Sequence, residues 1–292
     1  MTAQSFQQLT PNLWVTQSPI FDTNSGIFMD AGQACLIDPG ITEEEIRGIA
    51  RFTLEQGASV QTIILTHGHW DHLLGPEHFP GVKVIAHTEY KRTLAQRSEA
   101  ILQQISRWEA QAGILRSQPL RLPQPTLAFE GTLNVSLGRY TLRLIPAAGH
   151  AADQIALYEA EHGVLWAGDM LSDAEIPLVS HNLSAYQDTL ARLSTLDVRA
   201  LIPGHGTPTT DPVEIRARLN ADQEYLKELS AQVHEAVLAG KSLAETVAAC
   251  AGIAFRQPQE NAGMHQLNVE GAFVELGGVS DTPLVGWMRE EA

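Results

Sequence analysis

Four short apolar runs, TIIL at 62–65, YTLRLIP at 140–146, VLWA at 164–167 and ALIP at 200–203, each lead within four residues to a small residue and then a histidine or aspartate. A continuous apolar run such as TIIL reads as a strand buried on both faces, and the other three also read as strands. Sites in strand-based folds collect at strand ends, where loops are free to converge. The pattern therefore predicts that His67, His69, Asp71, His72, His150, Asp169 and His205 meet in one place. The densest piece, THGHWDH at 66–72, is more than a surface loop needs. Buried without partners, its polar groups would be costly.

The rest of the chain supplies a frame for those strand ends. GIFMDAGQACLIDPG (26–40) reads as two strands around Gly32, closing at Asp38-Pro39-Gly40. Residues 42–57 read as a helix, with Thr42 as cap, acidic residues in the first turn and Gly57 at the end. VKVIA (82–86) is a further strand, and 154–158 with 164–167 form a hairpin. A long amphipathic helix is expected over 88–112, an insertion where a short connection would suffice. From Asp211 onward the chain turns helical, with Ile215, Leu219, Leu226, Leu229 and Val233 at helical spacing and SLAE (242–245) as a capping box. The expected organisation is a core over 1–211 and a helical C-terminal region over 212–292 packed on it.

Composition narrows the class. With 44% hydrophobic and 18% charged residues in 292, the chain can bury one large core. No basic N-terminal segment precedes an apolar run, and no window reaches the roughly 18 apolar residues of a membrane span. Two cysteines, Cys35 and Cys250, do not make a disulfide framework and read as buried thiols, so a cytoplasmic setting is expected. A net charge of −15 repels phosphate backbones and anionic membranes, so neither nucleic acid nor a membrane is an expected partner.

Seven ligand-type residues are too many for one ion. The alternation His67-x-His69 lets both rings face a single metal, with Gly68 keeping the backbone compact, while Asp71 and His72 point to a second. Imidazole and carboxylate suit zinc. Two metals ~3.5–4 Å apart can share a carboxylate and a hydroxide, and Asp169 is the expected shared group. A lone histidine is usually surface or satisfied core, the reading given to His78, His87, His162, His234 and His265. Four ligand-type residues at fixed spacing, with the strand context supplied, point instead to metal.

In that order, THGHWDH, AAGH, AGD and PGHG resemble the motifs of the metallo-β-lactamase-fold hydrolase superfamily, over about residues 10–210. The resemblance implies an α+β fold, a four-layer αββα sandwich with the site on one edge. It implies one ion held by His67, His69 and His150, a second by Asp71, His72 and His205, and Asp169 between them. Asp38, in LIDPG, would support the metal loop from behind; alone it reads as a turn aspartate. Two zinc ions are the expected cofactors, with iron or manganese as alternatives.

Such a centre favours hydrolysis by a metal-bridging hydroxide, which needs no side-chain nucleophile. Asp71 is the catalytic candidate, orienting the hydroxide or taking up its proton. Zinc β-lactamases of the commonest class carry cysteine where this chain has Asp169, and flavodiiron oxygen reductases carry glutamate where it has His69. Glyoxalase II-like thioesterases resemble it in NLSAYQDTLARLSTL but differ at PGHG, and lactonases place a tyrosine where it has Ser172. The expected substrate is a small ester-like molecule, a thioester ahead of a lactone. The alternative is a persulfide dioxygenase-like oxidoreductase with one iron on His67, His150 and Asp169. A non-catalytic binding protein is a third reading, disfavoured because all seven ligand positions are filled. Basic residues over 91–121, among them Lys91, Arg92, Arg97, Arg107, Arg116 and Arg121, suit either an anionic substrate under a lid or a solvated helix face. His181 is a candidate substrate contact, while Tyr186 has the spacing of a packing residue.

Overall fold

A computed structural model describes residues 4–114, 116 and 119–279. Within the first sheet, β1 (Gln7–Thr10), β2 (Leu13–Gln17), β3 (Asn24–Asp30) and β4 (Gln33–Ile37) run antiparallel. Beside β4, β5 (Ser59–Ile64), β6 (Lys83–His87) and β7 (Leu127–Phe129) continue the sheet in parallel, giving seven strands in chain order. The second sheet has the order β12-β11-β10-β9-β8, built from β8 (Leu133–Leu137), β9 (Tyr140–Pro146), β10 (Ile155–Glu159), β11 (Val164–Trp166) and β12 (Ala200–Ile202). Helices cover both outer faces, so the molecule is an α+β, αββα sandwich.

Strand alternation sorts the core into three layers. Phe28, Cys35, Ile37, Ile64 and Ile85 of the first sheet meet Leu144, Leu157 and Trp166 of the second. Gly26 is required here: a Cβ on it would lie 2.6 Å from the Trp166 ring. The opposite face of the first sheet, with Ile27, Leu36 and Ile63, packs on α1 (Glu43–Glu55) and α2 (Thr88–Ala112) through Ile46, Ile49, Tyr90, Leu94 and Ile105. Thr42 and Glu45 close a full capping box on α1. The outer face of the second sheet, with Ala156, Tyr158 and Leu201, packs on α3 (Leu183–Leu193), α4 (Pro212–Leu238), α5 (Leu243–Cys250) and α6 (Ala262–Glu275). Residues 280–292 of the expected C-terminal region lie outside the described residues.

At one edge the two sheets are tied by main-chain hydrogen bonds: Asn24 N–H donates to Gly204 O at 2.7 Å and Ile155 N–H to Thr66 O at 2.9 Å. Those bonds anchor the loops that follow β5 and β12, and Gly204 N–H donates to Gly168 O at 2.6 Å, which joins the loop after β12 to the loop after β11.

Candidate metal centre

Directly after β5, a single 3₁₀ turn over Trp70–His72 folds the THGHWDH stretch back on itself. That turn places His67, His69 and His72 on one wall, and the loops after β9, β11 and β12 bring His150, Asp169 and His205 to face them. His67, His69, His150 and Asp169 form one group and Asp71, His72 and His205 another, with the donor atoms of each group within 4.8 Å of one another. All are buried or nearly so.

Four of the five imidazoles are oriented from behind. His72 Nδ1–H donates to Asp38 Oδ2 at 2.9 Å, His150 Nδ1–H to Leu178 O at 3.0 Å and His205 Nδ1–H to Phe21 O at 2.9 Å. For His67 the relay has two links: Thr66 O–H donates to Asp38 Oδ2 at 2.6 Å, so Thr66 Oγ accepts from His67 Nδ1–H at 3.0 Å. With Nδ1 committed as a donor, Nε2 is the lone-pair nitrogen of each ring in its neutral form, the form that binds a metal. All four Nε2 atoms face the Asp169 carboxylate, at 3.4 Å for His67, 3.2 Å for His72, 3.2 Å for His150 and 3.3 Å for His205. His69 differs, with its Nδ1 2.9 Å from His150 Nε2.

Asp38 adopts φ 43°, rare for a residue with a side chain. Its carboxylate also accepts from Thr66 N–H at 2.9 Å, so the strained turn places three donors on one group.

The donor set fits metal ions. His67 Nε2, His72 Nε2 and Asp169 Oδ1 are buried and make no hydrogen bond within the protein. Donors at about 2.1 Å from a tetrahedral ion stand roughly 3.4 Å apart. The separations of His205 Nε2 and His72 Nε2 from Asp71 Oδ2, 3.2 and 3.6 Å, and those to Asp169, lie around that value.

The model of the metallo-beta-lactamase superfamily matches residues 19–205. The chain belongs to that superfamily. Among similar proteins, a Caenorhabditis elegans "Beta-lactamase-like protein 2 homolog" is 23% identical, the match covering 71% of this chain and 65% of the relative. A Gallus gallus "Acyl-coenzyme A thioesterase MBLAC2" is 27% identical over 66% of this chain and 72% of its own. A Stenotrophomonas maltophilia "Hydroxyacylglutathione hydrolase" is 31% identical over 49% of this chain and 43% of its own. The chain thus spans less than two thirds of the length of the C. elegans relative. A solved metallo-beta-lactamase family protein from Thermus thermophilus superposes with a TM-score of 0.68 at 25% identity, covering 95% of this chain and 98% of that one.

Charge in this superfamily member's site is balanced locally. Burial pushes the Asp169 carboxyl up, but His72, His205 and His67 around it pull harder and hold it well below the usual carboxylate range. Asp71 is lowered in the same way by His72 and His205 against its own burial. Burial lowers His67 and His69, whereas Asp169, Asp71 and Asp38 around His72, and Asp169 and Asp71 around His205, outweigh burial and raise those imidazoles.

Two cavities open on this floor. One of about 230 Å³ has Phe21, Trp70, Ile176, Leu178 and Met264 as walls above Asp71, His150, Asp169 and His205. The other, about 410 Å³, lies beside it and shares His69, Arg97 and Ser180. His181 is exposed and lines the second. Tyr186 is fully buried in the outer core, and its hydroxyl donates to Asp169 O at 3.2 Å. Ser172 Oγ accepts from Ala174 N–H and Glu175 N–H, both at 3.1 Å, and so is turned into its own loop. Of the basic residues over 91–121, Arg92 and Arg97 line the larger cavity, while Arg116 is paired with Glu77 and Glu109. Sequence patterning does not single out Glu175 and Asp153, which line the two cavities. The only signal for Asp153 is its place three residues after His150.

Proposed function

We propose that the chain is a two-metal hydrolase of a small ester-like substrate, with thioesters preferred to lactones. The observation that carries this reading is the set of four imidazoles that each give Nδ1–H to a protein acceptor and turn Nε2 toward one shared carboxylate. His67, His69 and His150 would hold one ion, Asp71, His72 and His205 the other, and Asp169 both; zinc suits this donor set. When bound, such ions supply hydroxide at neutral pH and polarise the scissile carbonyl.

The protein's own part is orientation, exclusion of water and proton management. Asp71, held well below the usual carboxylate range, is too weak a base to store a proton, and its work is to hold and orient. The apolar walls of the smaller cavity suit an acyl chain lying over the polar floor. A thioester is preferred because two relatives bear thioester-hydrolase names, and because Ser172, held into its own loop by two backbone donors, is a poor stand-in for a lactonase tyrosine. We also assign 1–211 to the catalytic core and 212–292 to a helical region that holds the loop after Asp169. The two buried free thiols support a cytoplasmic setting.

The test is a rate comparison on zinc-loaded protein between an acyl thioester and an acyl-homoserine lactone, with and without chelator. Faster thioester cleavage, abolished by the chelator, is expected. Faster lactone cleavage would reverse the substrate order. Cleavage of neither, with oxygen uptake on a persulfide by iron-loaded protein, would overturn the hydrolase reading.

A further inference from the structure

The turn between β2 and β3 holds an exposed ring on a strained backbone. Phe21 and Asp22 lie side by side in the left-handed region, at φ 55° and 50°, where glycine or asparagine sits more easily than phenylalanine. The backbone there has its own work: Phe21 O accepts from His205 Nδ1–H at 2.9 Å and Asp22 O from Gly206 N–H at 3.0 Å. Any residue would supply those carbonyls, so they leave the ring of Phe21 unexplained. The core does not account for it either, since Phe21 is 57% exposed. A single exposed apolar side chain means little. This one stands edge-to-face with Trp70, the ring centroids 6.0 Å apart and the planes at 84°, and both rings line the smaller cavity. Trp108 of α2 lies against Trp70 at 4.9 Å and fixes its ring. Ile176, Leu178 and Met264 complete the apolar wall above the metal-binding floor.

Size limits the occupant. At about 230 Å³ the cavity falls below the ~300–1,000 Å³ of sites that enclose drug-sized ligands, so it suits a compact group rather than a long chain. An aromatic ring gains most from such a corner, because ring–ring and sulfur–ring contacts add to what burial of area gives alone. Resting on the hydrolase reading for what happens at the metals, we propose that Phe21 and Trp70 form a subsite for an aromatic acyl group, with Phe21 as the specificity-determining residue. The substrate class is then an ester or thioester of an aromatic carboxylic acid, its carbonyl over the polar floor and its ring in the Phe21–Trp70 corner. Phe21 thus holds His205 through its carbonyl and reads the substrate through its ring.

The test is calorimetric binding of benzoate and cyclohexanecarboxylate to metal-loaded protein, two acids alike in size and charge that differ in aromaticity. Wild type should prefer benzoate by about 2–10-fold, the range of one aromatic pair. Phe21→Leu keeps an apolar side chain and the carbonyl, so it should bind the two acids equally with its metal content unchanged. Phe21→Tyr keeps the ring and should retain the preference. Equal affinities in wild type, binding of neither acid, or a preference that survives in Phe21→Leu would each overturn the subsite. These readings need no turnover. Hydrolysis of S-acetyl-N-acetylcysteamine, whose acyl group carries no ring, judges the hydrolase reading separately.

Discussion

Asp38 answers three donors with one carboxylate, and two of them, Thr66 O–H and His72 Nδ1–H, share its Oδ2. Replacing that oxygen by an amide nitrogen would offer a donor where His72 already donates. The ring could then satisfy the amide only by moving its proton to Nε2, the nitrogen that faces Asp169. Asn also tolerates the left-handed backbone found here, so Asp38→Asn should fold. It is expected to lower metal affinity by about 10–100-fold, the usual cost of losing such a support. Competition against a chromophoric chelator measures this; unchanged affinity would mean the tautomers are set elsewhere.

At the scale of elements, the C-terminal helices hold the loop that follows Asp169. Asp222 of α4 accepts from Leu171 N–H at 3.2 Å, Arg256 donates to Glu175 O at 3.0 Å, and Asn268 of α6 both accepts from Val179 N–H at 2.8 Å and donates to Pro177 O at 2.6 Å. Tyr225 O–H, His265 and Cys250 O complete a buried chain between α4, α5 and α6. Burial lowers the His265 imidazole, with its bond to Cys250 O opposing. It therefore stays neutral to lower pH in the folded state than in the unfolded chain, which takes up a proton below about pH 6.5. The stability it contributes is present above that pH and is lost as pH falls through the lowered folded value. Thermal unfolding of wild type and His265→Asn between pH 7.5 and 5 should show a steeper acid loss in wild type; equal slopes would exclude His265 as a contributor. Elements differ in how readily the sequence reveals them. TIIL and ALIP are legible because strands buried on both faces leave an unbroken apolar run. LNVSL of β8 alternates cleanly but over only five residues, too short to stand out, whereas AGMHQLNVEGAFVE of α6 buries His265, Asn268 and Glu270 on its packed face and so has no clean period. The seven candidate ligands are legible from spacing and strand ends. Asp153 is not, because it comes to the same cavity as Arg97 only once α2 folds over the metal loop.

For the whole molecule, a centre that crowds two carboxylates and five imidazoles into the seam between two sheets links metal occupancy to stability. At free metal about a thousandfold above Kd, binding to the folded state contributes roughly 4 kcal/mol. Chelation should therefore lower Tm by roughly 5–15 °C. Differential scanning calorimetry with and without chelator checks it, and an unchanged Tm would mean the folded protein does not draw on bound metal. The most direct test of the two-metal centre is the metal content per chain of wild type and His72→Ala after dialysis, by elemental analysis. The account predicts about two ions in wild type and about one in the variant. About one ion in both would contradict it and favour the single-iron alternative.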